Sequence, residues 1–282
     1  MKNELKGELS IIMAAVLFSV SMIIIKILSK TFSGLFIALT RFIIGIVLVL
    51  FAMKLRKHKF RIGKPKDWIL RGVFGAIAMI TLYVCIQLAS SARASLFNKT
   101  YPFFVMLFGY LFFKQRATKK QITSLALCIL GILFIFYDGS KYSMISNLIG
   151  LTSGFTAGFA VIYLNKLSKQ NVSPYLIYLP ACLLGLIPTA TRYHEFANVT
   201  PISAILIVIA GTTIFGAQSF LGYGHKHVTA TRGSILAMIE LPLMIILSYF
   251  IVNEQFTIKF FIGALLVVGG LLIKDKKINP NI

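Results

Sequence analysis

Two proline-containing apolar stretches carry the residues whose types and spacing could do chemistry. In FNKTYPFFVMLFGY, from Phe97 to Tyr110, Lys99 sits three residues before Pro102. An ammonium at the centre of a bilayer costs about 2.5–3.5 kcal/mol on insertion scales, and an interior proline removes a backbone hydrogen bond and kinks a helix. At helical spacing Ser91, Ser95, Lys99, Pro102 and Met106 fall on one stripe, so charge and kink share a face. A second stretch repeats the design with opposite sign: Gly233, Ala237, Glu240, Met244 and Ser248 form a stripe, with Pro242 two residues beyond the acid.

Two chemistries are open to this pair. If Lys99 and Glu240 line a cavity separately, the ammonium holds a carboxylate and the carboxylate holds an ammonium, a layout that suits a zwitterion. Alternatively they neutralise each other as a structural ion pair, a weak source of stability because both charges lose their water. Low dielectric also disfavours an acid's charged form, which makes Glu240 a candidate proton-coupling site.

The elements that position these residues are set by composition. The chain of 282 residues is 57% hydrophobic and only 13% charged, with a mean hydropathy of +0.85. A soluble domain is about 25% charged, so these values describe an integral membrane protein. Apolar blocks recur from end to end and leave no hydrophilic segment long enough to fold alone, so one membrane unit is expected. A net charge of +21 and the run KLRKHKFRIGKPK, Lys54–Lys66, would suggest nucleic acid in a soluble chain. Here the run is a short loop between apolar blocks, and its expected partners are anionic lipid headgroups on the cytoplasmic side.

Blocks long enough to cross about 30 Å of hydrocarbon fall at about 9–29, 33–53, 68–88, 92–112, 119–138, 147–166, 174–191, 202–222, 230–251 and 258–274. Ten helices and an all-α fold follow, because the blocks are too long and lack the period-two alternation of barrel strands. The first block lacks a cleavage-type motif and reads as a span. Assigning Lys and Arg to alternate sides gives 21 on the side of both termini and five on the other. The first figure includes Arg71, grouped with the loop before span three, and the second includes Arg93. Both termini are therefore expected in the cytoplasm, with the protein integral to the cytoplasmic (inner) membrane.

The halves also echo each other. KILSK recurs as NKLSK and RASLF as RGSIL at an offset of 139, and Pro102 as Pro242 at an offset of 140. Two five-helix units, residues 1–140 and 141–282, are expected. With an odd number of spans per unit, the second enters the membrane in the opposite direction, and such halves can expose one cavity to either side in turn.

Further candidate binding residues are Tyr83, Gln87, Ser95, Tyr101, Tyr163, Gln218 and Tyr223, as hydrogen-bonding groups or aromatic walls. Arg41, about 12 Å into span two by helical rise, either attracts anions or snorkels outward; Lys26, nearer its span end, is expected to snorkel. Gly150, Gly154 and Gly158 form a small-residue ridge expected to pack within the protein, with Ala15 and Ser19 as its counterpart. Cys85, Cys128 and Cys182 lie within apolar blocks without metal spacing and read as packing residues. No phosphate-binding loop and no H-E-x-x-H occur, and His58, His194, His225 and His227 are expected in loops or at span ends, so no metal, cofactor or hydrolytic centre is expected.

The doubled pattern ASSARASLFNKTYPFFVMLFGYLFFKQ, Ala89–Gln115, and HVTATRGSILAMIELPLMIILSYFIVNEQ, His227–Gln255, resembles the drug/metabolite transporter superfamily, specifically EamA-type ten-helix transporters. The resemblance covers nearly the whole chain. It implies a secondary carrier with a central cavity between its halves and no enzymatic activity. It also implies a glutamate in the turns after spans four and nine; Glu254 matches, whereas Lys114 stands at the first position. The expected cargo is a small polar or zwitterionic metabolite, amino-acid-like by preference. Export of hydrophobic or cationic drugs is the alternative within transport, and a non-transporting membrane protein the alternative outside it. Expected partners are the substrate, membrane lipids, and a coupling proton or exchange solute, with no nucleic acid and a monomer as the default state.

Overall fold

The structure is a computed structural model that describes residues 2–55, 60–113, 119–137, 139, 141–228 and 230–273. The described residues form helices and connecting turns, with no strand among them. In chain order these are α1 (Lys2–Leu28), α2 (Gly34–Leu55), α3 (Pro65–Leu88), α4 (Ser91–Asn98), α5 (Tyr101–Phe113), α6 (Lys119–Phe136), α7 (Met144–Lys169) and α8 (Pro174–Thr189). A 3₁₀ segment, Ala190–Asn198, precedes α9 (Pro201–His227); α10 (Ala230–Leu236), a 3₁₀ turn (Ala237–Ile239), α11 (Glu240–Val252) and α12 (Ile258–Leu272) complete the chain.

Local sequence explains where the helices begin. Pro65, Pro174 and Pro201 open α3, α8 and α9, where the missing N–H is one the helix would leave unpaired anyway. The side chains of Ser90, Ser143, Thr200 and Thr257 accept from the backbone N–H three residues on, capping α4, α7, α9 and α12.

Seven helical stretches among the described residues are long and apolar enough to cross a membrane, and α12 supplies a shorter apolar helix. The fourth expected block, 92–112, differs from the sequence reading because it is two helices of 8 and 13 residues rather than one kinked span. Pro102 lies in the first turn of α5, where it replaces an N–H that is free in any case. The ninth block keeps its course through the 3₁₀ turn Ala237–Ile239, which precedes Pro242 in the first turn of α11. Large apolar side chains on the outside, among them Val47, Phe51, Ile202, Phe250 and Leu265, give the bundle a surface matched to hydrocarbon.

Helices from the two ends of the sequence interleave. α1 packs along α9 and α3 along α7; α2 lies against α8 and α6 against α12. The interrupted helices sit inside this frame, α4 and α5 against α7, and α11 against α1 and α4.

The glycine ridge of α7 holds the first interruption in place. A Cβ at Gly150 would meet the Phe97 ring, one at Gly154 would collide with the Phe97 carbonyl and Thr100 Oγ1, and one at Gly158 would strike Phe104. Because these positions lack side chains, the backbone of α7 reaches the α4–α5 break, where Thr100 Oγ1 donates to the Phe97 carbonyl at 2.6 Å. The carbonyl of Asn98 also faces Gly154.

Polar clasps close the two ends of the bundle. At the α2–α3 end, Gln170 accepts from the Lys64 N–H at 3.0 Å and donates to Asp67 at 3.2 Å. At the opposite end, Glu195 accepts from the N–H and hydroxyl of Ser33 at 2.8 and 2.5 Å. Glu254, in the turn after α11, is buried against the start of α4, accepting from the Ser91 N–H at 2.7 Å and its hydroxyl at 2.9 Å. A carboxylate there satisfies a free helix donor and complements the helix dipole. Lys114 and His58 lie outside the described residues, as do the side chains of Met106 and Cys128; Cys85 and Cys182 are buried.

Three sequence expectations are corrected by the structure. Arg71, grouped with the loop, is enclosed within α3, and Arg93, counted with the opposite connections, is enclosed within α4. There Arg93 donates to the Ile135 carbonyl at 2.9 Å and lies 4.9 Å from the Tyr142 ring centre. Its counterpart Arg232 is half exposed and pairs with Glu4 and Glu8 at the start of α1. Lys26 does not snorkel; its ammonium caps the end of α3 through the carbonyls of Ile86, at 2.9 Å, and Ala89, at 2.5 Å. His225 lies in the last turn of α9, at a span end as expected, and is fully buried because that helix runs five residues past the expected end of its block.

Two outcomes follow for stability, read by thermal or denaturant unfolding through the fluorescence of Trp68, the sole tryptophan. Gly154→Ala destabilises by about 1–3 kcal/mol through overpacking at the break. Glu254→Ala costs about 1.5–3 kcal/mol by removing a charged acceptor, and Glu254→Gln restores part of that loss.

Candidate functional site

Where the interrupted helices approach each other, Lys99 Nζ lies 2.6 Å from Glu240 Oε2. Lys99 is the residue at which α4 ends, and Glu240 is the residue at which α11 begins. The same interruption that the prolines impose therefore delivers both charges to one point. Ser95, one turn before Lys99 on α4, donates to Glu240 Oε1 at 3.1 Å. The ammonium also lies 5.6 Å from the ring centres of both Phe18 and Tyr101, close enough for cation–π attraction. Both partners are almost wholly shielded, with side chains 7% and 3% exposed, so water does little to screen the pair.

The two stripes read from the sequence meet at this junction. Ser91, Ser95, Lys99 and Pro102 are buried, as are Gly233, Ala237, Glu240, Met244 and Ser248. Ser91 and Ser248 share a hydrogen bond at 3.0 Å, so the two faces touch along their length and not only at the charges. Pro242 itself points outward.

Beside the ion pair is a cavity of about 90 Å³. Its wall comes from α1, α2, α3, α7, α9 and both interruptions, and most of it is apolar: Phe18, Met22, Met79, Leu82, Val161 and Leu164 contribute. The polar groups that reach it are Arg41, Arg71, Asn98, Lys99, Tyr101, Gln218 and Glu240. An apolar wall with a few convergent polar groups is the usual form of a small-molecule site.

Of the candidate binding residues, Lys99, Glu240, Tyr101 and Gln218 are thus together in the wall, and Ser95 stands behind Glu240. Tyr83 is outside the wall but donates geometry to it, since its hydroxyl accepts from Arg41 Nη1 at 2.5 Å. Tyr178, which no sequence signal marked, accepts from Arg41 Nε at 3.3 Å. Gln87, Tyr163 and Tyr223 lie elsewhere. Gln87 accepts from the Gly34 N–H at the start of α2, Tyr163 stacks beside Phe74, and Tyr223 is exposed next to His227.

Arg71 and Asn98 are the wall residues that sequence reasoning missed. Asn98 immediately precedes the charge, and its amide donates to Ser153 on the glycine-ridge helix at 2.7 Å. Arg71 already fell inside the apolar block 68–88, and a cation within such a block with a glycine four residues on was the available signal. Gly75 leaves the space that the guanidinium occupies, since a Cβ there would collide with Arg71 Nη1.

No group of three or more His, Cys, Asp or Glu side chains able to hold a metal ion occurs among the described residues.

Comparison with known proteins places this architecture. The model of the EamA-like transporter family matches residues 5–137 and again 144–273. A pseudopaline exporter of Pseudomonas aeruginosa is 27% identical over 230 residues, 80% of each chain. A probable amino-acid metabolite efflux pump of Salmonella typhimurium is 25% identical over 71% of this chain and 72% of its own length. A riboflavin transporter of Brucella anthropi is 28% identical over 62% of this chain and 64% of its own. A solved crystal structure aligns with a TM-score of 0.62 over 96% of each chain at 17% identity, a likeness of fold alone. With two family matches that together span nearly its whole length, this integral membrane protein belongs to the EamA-like transporter family.

Proposed function

We propose that the protein is a secondary transporter that carries a small polar or zwitterionic metabolite, amino-acid-like by preference, across the cytoplasmic membrane by alternating access. The observation that carries this reading is the cavity at the meeting point of two interrupted helices, with an ammonium and a carboxylate in its wall. A carrier needs a site that both faces of the membrane can reach in turn, and interrupted helices supply polar groups at mid-depth without leaving backbone exposed to lipid.

Two inverted five-helix halves, 1–140 and 141–282, are part of the proposal. The double family match supports them. So does the order of helix packing: exchanging each helix for its counterpart in the other half turns α1–α9 into α7–α3 and leaves α2–α8 and α6–α12 unchanged. Exchange of roles between such halves closes one side of the cavity as it opens the other. The bias of Lys and Arg supports an orientation with both termini in the cytoplasm, and it survives the reassignment of Arg71 and Arg93 to the interior.

In this reading the Lys99–Glu240 pair joins the two interrupted helices when the site is empty and parts to receive the solute's carboxylate and ammonium. Glu240 is also the proposed proton-coupling residue, since protonation removes the charge that holds Lys99. A relative named as a probable amino-acid metabolite efflux pump supports an amino-acid-like cargo. Export of hydrophobic or cationic drugs draws on the apolar part of the wall, but Arg41 and Arg71 disfavour cations.

Reconstituted into proteoliposomes, the protein is expected to support counterflow of a radiolabelled amino acid, with unlabelled amino acids competing and lipophilic cations not. Absence of counterflow across a metabolite panel would sink the carrier reading. Breaking the pair singly, as in Lys99→Met or Glu240→Met, leaves an uncompensated buried charge and costs about 3–5 kcal/mol, whereas the double variant stays close to wild-type stability. The double variant, folded but unable to bind either end of a zwitterion, is expected to lose counterflow. An imposed pH gradient should drive transport by the wild type and not by Glu240→Gln; equal responses would remove Glu240 from coupling.

A further inference from the structure

The charges around the cavity do not balance. Its wall holds three cations, Arg41, Arg71 and Lys99, and one carboxylate, Glu240, which is committed to Lys99. Arg41 and Arg71 are 4% and 3% exposed, so neither is neutralised by bulk solvent. Arg41 is held by two phenol hydroxyls and lies 5.2 and 5.9 Å from the ring centres of Tyr83 and Tyr178; these contacts orient the guanidinium without cancelling its charge. Arg71 makes one long hydrogen bond, 3.4 Å to the Gln218 side-chain oxygen, and its Nε has no partner among the described atoms.

The protein's own acids are otherwise engaged. Of eight Asp and Glu residues, Asp138 and Asp275 lie outside the described residues. Glu4 and Glu8 pair with Arg232, Asp67 accepts from Gln170, Glu195 from Ser33 and Glu254 from Ser91, while Glu240 faces Lys99. No described carboxylate lies within ion-pair distance of Arg41 or Arg71. A guanidinium keeps its charge at any accessible pH, and an unpaired ion in the interior costs several kcal/mol. It also offers a planar fork of donors that fits a carboxylate in two-pronged fashion.

We infer that Arg71 and Arg41 form an anion subsite, and that the transported solute is a small organic anion carrying more carboxylates than ammonium groups. The inference rests on the carrier reading and narrows its substrate class. A neutral zwitterion answers Lys99 and Glu240 but leaves two guanidiniums unmatched; an additional carboxylate completes them. Gly75 belongs to the same design, since the space it leaves lets Arg71 lie along α3 at the cavity wall.

The test uses the purified full-length protein in detergent and follows its melting midpoint at matched ionic strength, with sodium sulfate as the control. The probes are glutarate, glutamine, 1,5-diaminopentane and glycerol 3-phosphate. Glutarate is expected to raise the midpoint by several degrees at saturation, because a ligand that binds only the folded form stabilises it, while diaminopentane leaves it unchanged. Arg71→Gln abolishes the glutarate shift and Arg71→Lys keeps part of it. Gln218→Glu places a carboxylate beside Arg71; it raises the midpoint of the unliganded protein and removes the glutarate shift, a readout that does not depend on Arg71→Gln folding.

A glutarate shift that persists in Arg71→Gln or Gln218→Glu overturns the subsite, as does stabilisation by diaminopentane but not by glutarate. Stabilisation by glycerol 3-phosphate alone overturns the carboxylate assignment in favour of a phosphate. Counterflow separates the two levels of the argument: anion binding without counterflow of any solute refutes the carrier and keeps the subsite, whereas counterflow of glutamine or a cation without anion binding refutes the subsite and keeps the carrier.

Discussion

An ammonium and a carboxylate withdrawn from water each cost several kcal/mol unless they find each other. In this protein they meet at 2.6 Å, at the point where one helix stops and another starts. Neither residue reaches that point from an uninterrupted helix. The α4–α5 break frees Lys99 from the regular helical path, and the 3₁₀ turn before α11 sets Glu240 at a helix start. The break in turn depends on the bare backbone of α7, because side chains at Gly150, Gly154 and Gly158 would push that helix away from Phe97, Thr100 and Phe104. Small residues, a broken helix and a buried pair are one arrangement.

The rest of the bundle keeps this polar centre buried and aligned. α1 and α3 run along α9 and α7, α2 and α8 close the flanks, and the clasps made by Glu195, Glu254 and Gln170 tie connections together at the bundle ends. Each clasp uses a side chain from late in the sequence to satisfy backbone groups from early in it. These are polar contacts of a kind that water can replace.

Much of this was legible in the chain itself. Helical periodicity identified both polar stripes, and every described residue in them is buried. The offset between the halves paired the two proline-containing stretches, one carrying Lys99 and the other Glu240. Burial was less legible. Arg71 and Arg93 stand near the edges of apolar blocks and were counted with the connections. Both are enclosed instead, Arg71 beside Gly75 and Arg93 against Tyr142 and the Ile135 carbonyl.

The sequence alone determined the helical membrane character, the doubled pattern and the identity of the charges on the two proline-containing stripes, since these depend on composition and on spacing along a single helix. Only the tertiary structure decided that Lys99 and Glu240 touch, that Gln87, Tyr163 and Tyr223 stay away from the cavity, and that Arg41 and Arg71 share its wall without a carboxylate. Those outcomes depend on distances between residues from different helices. Such distances are set by how closely backbones approach, and a glycine records permission for that approach without naming the partner.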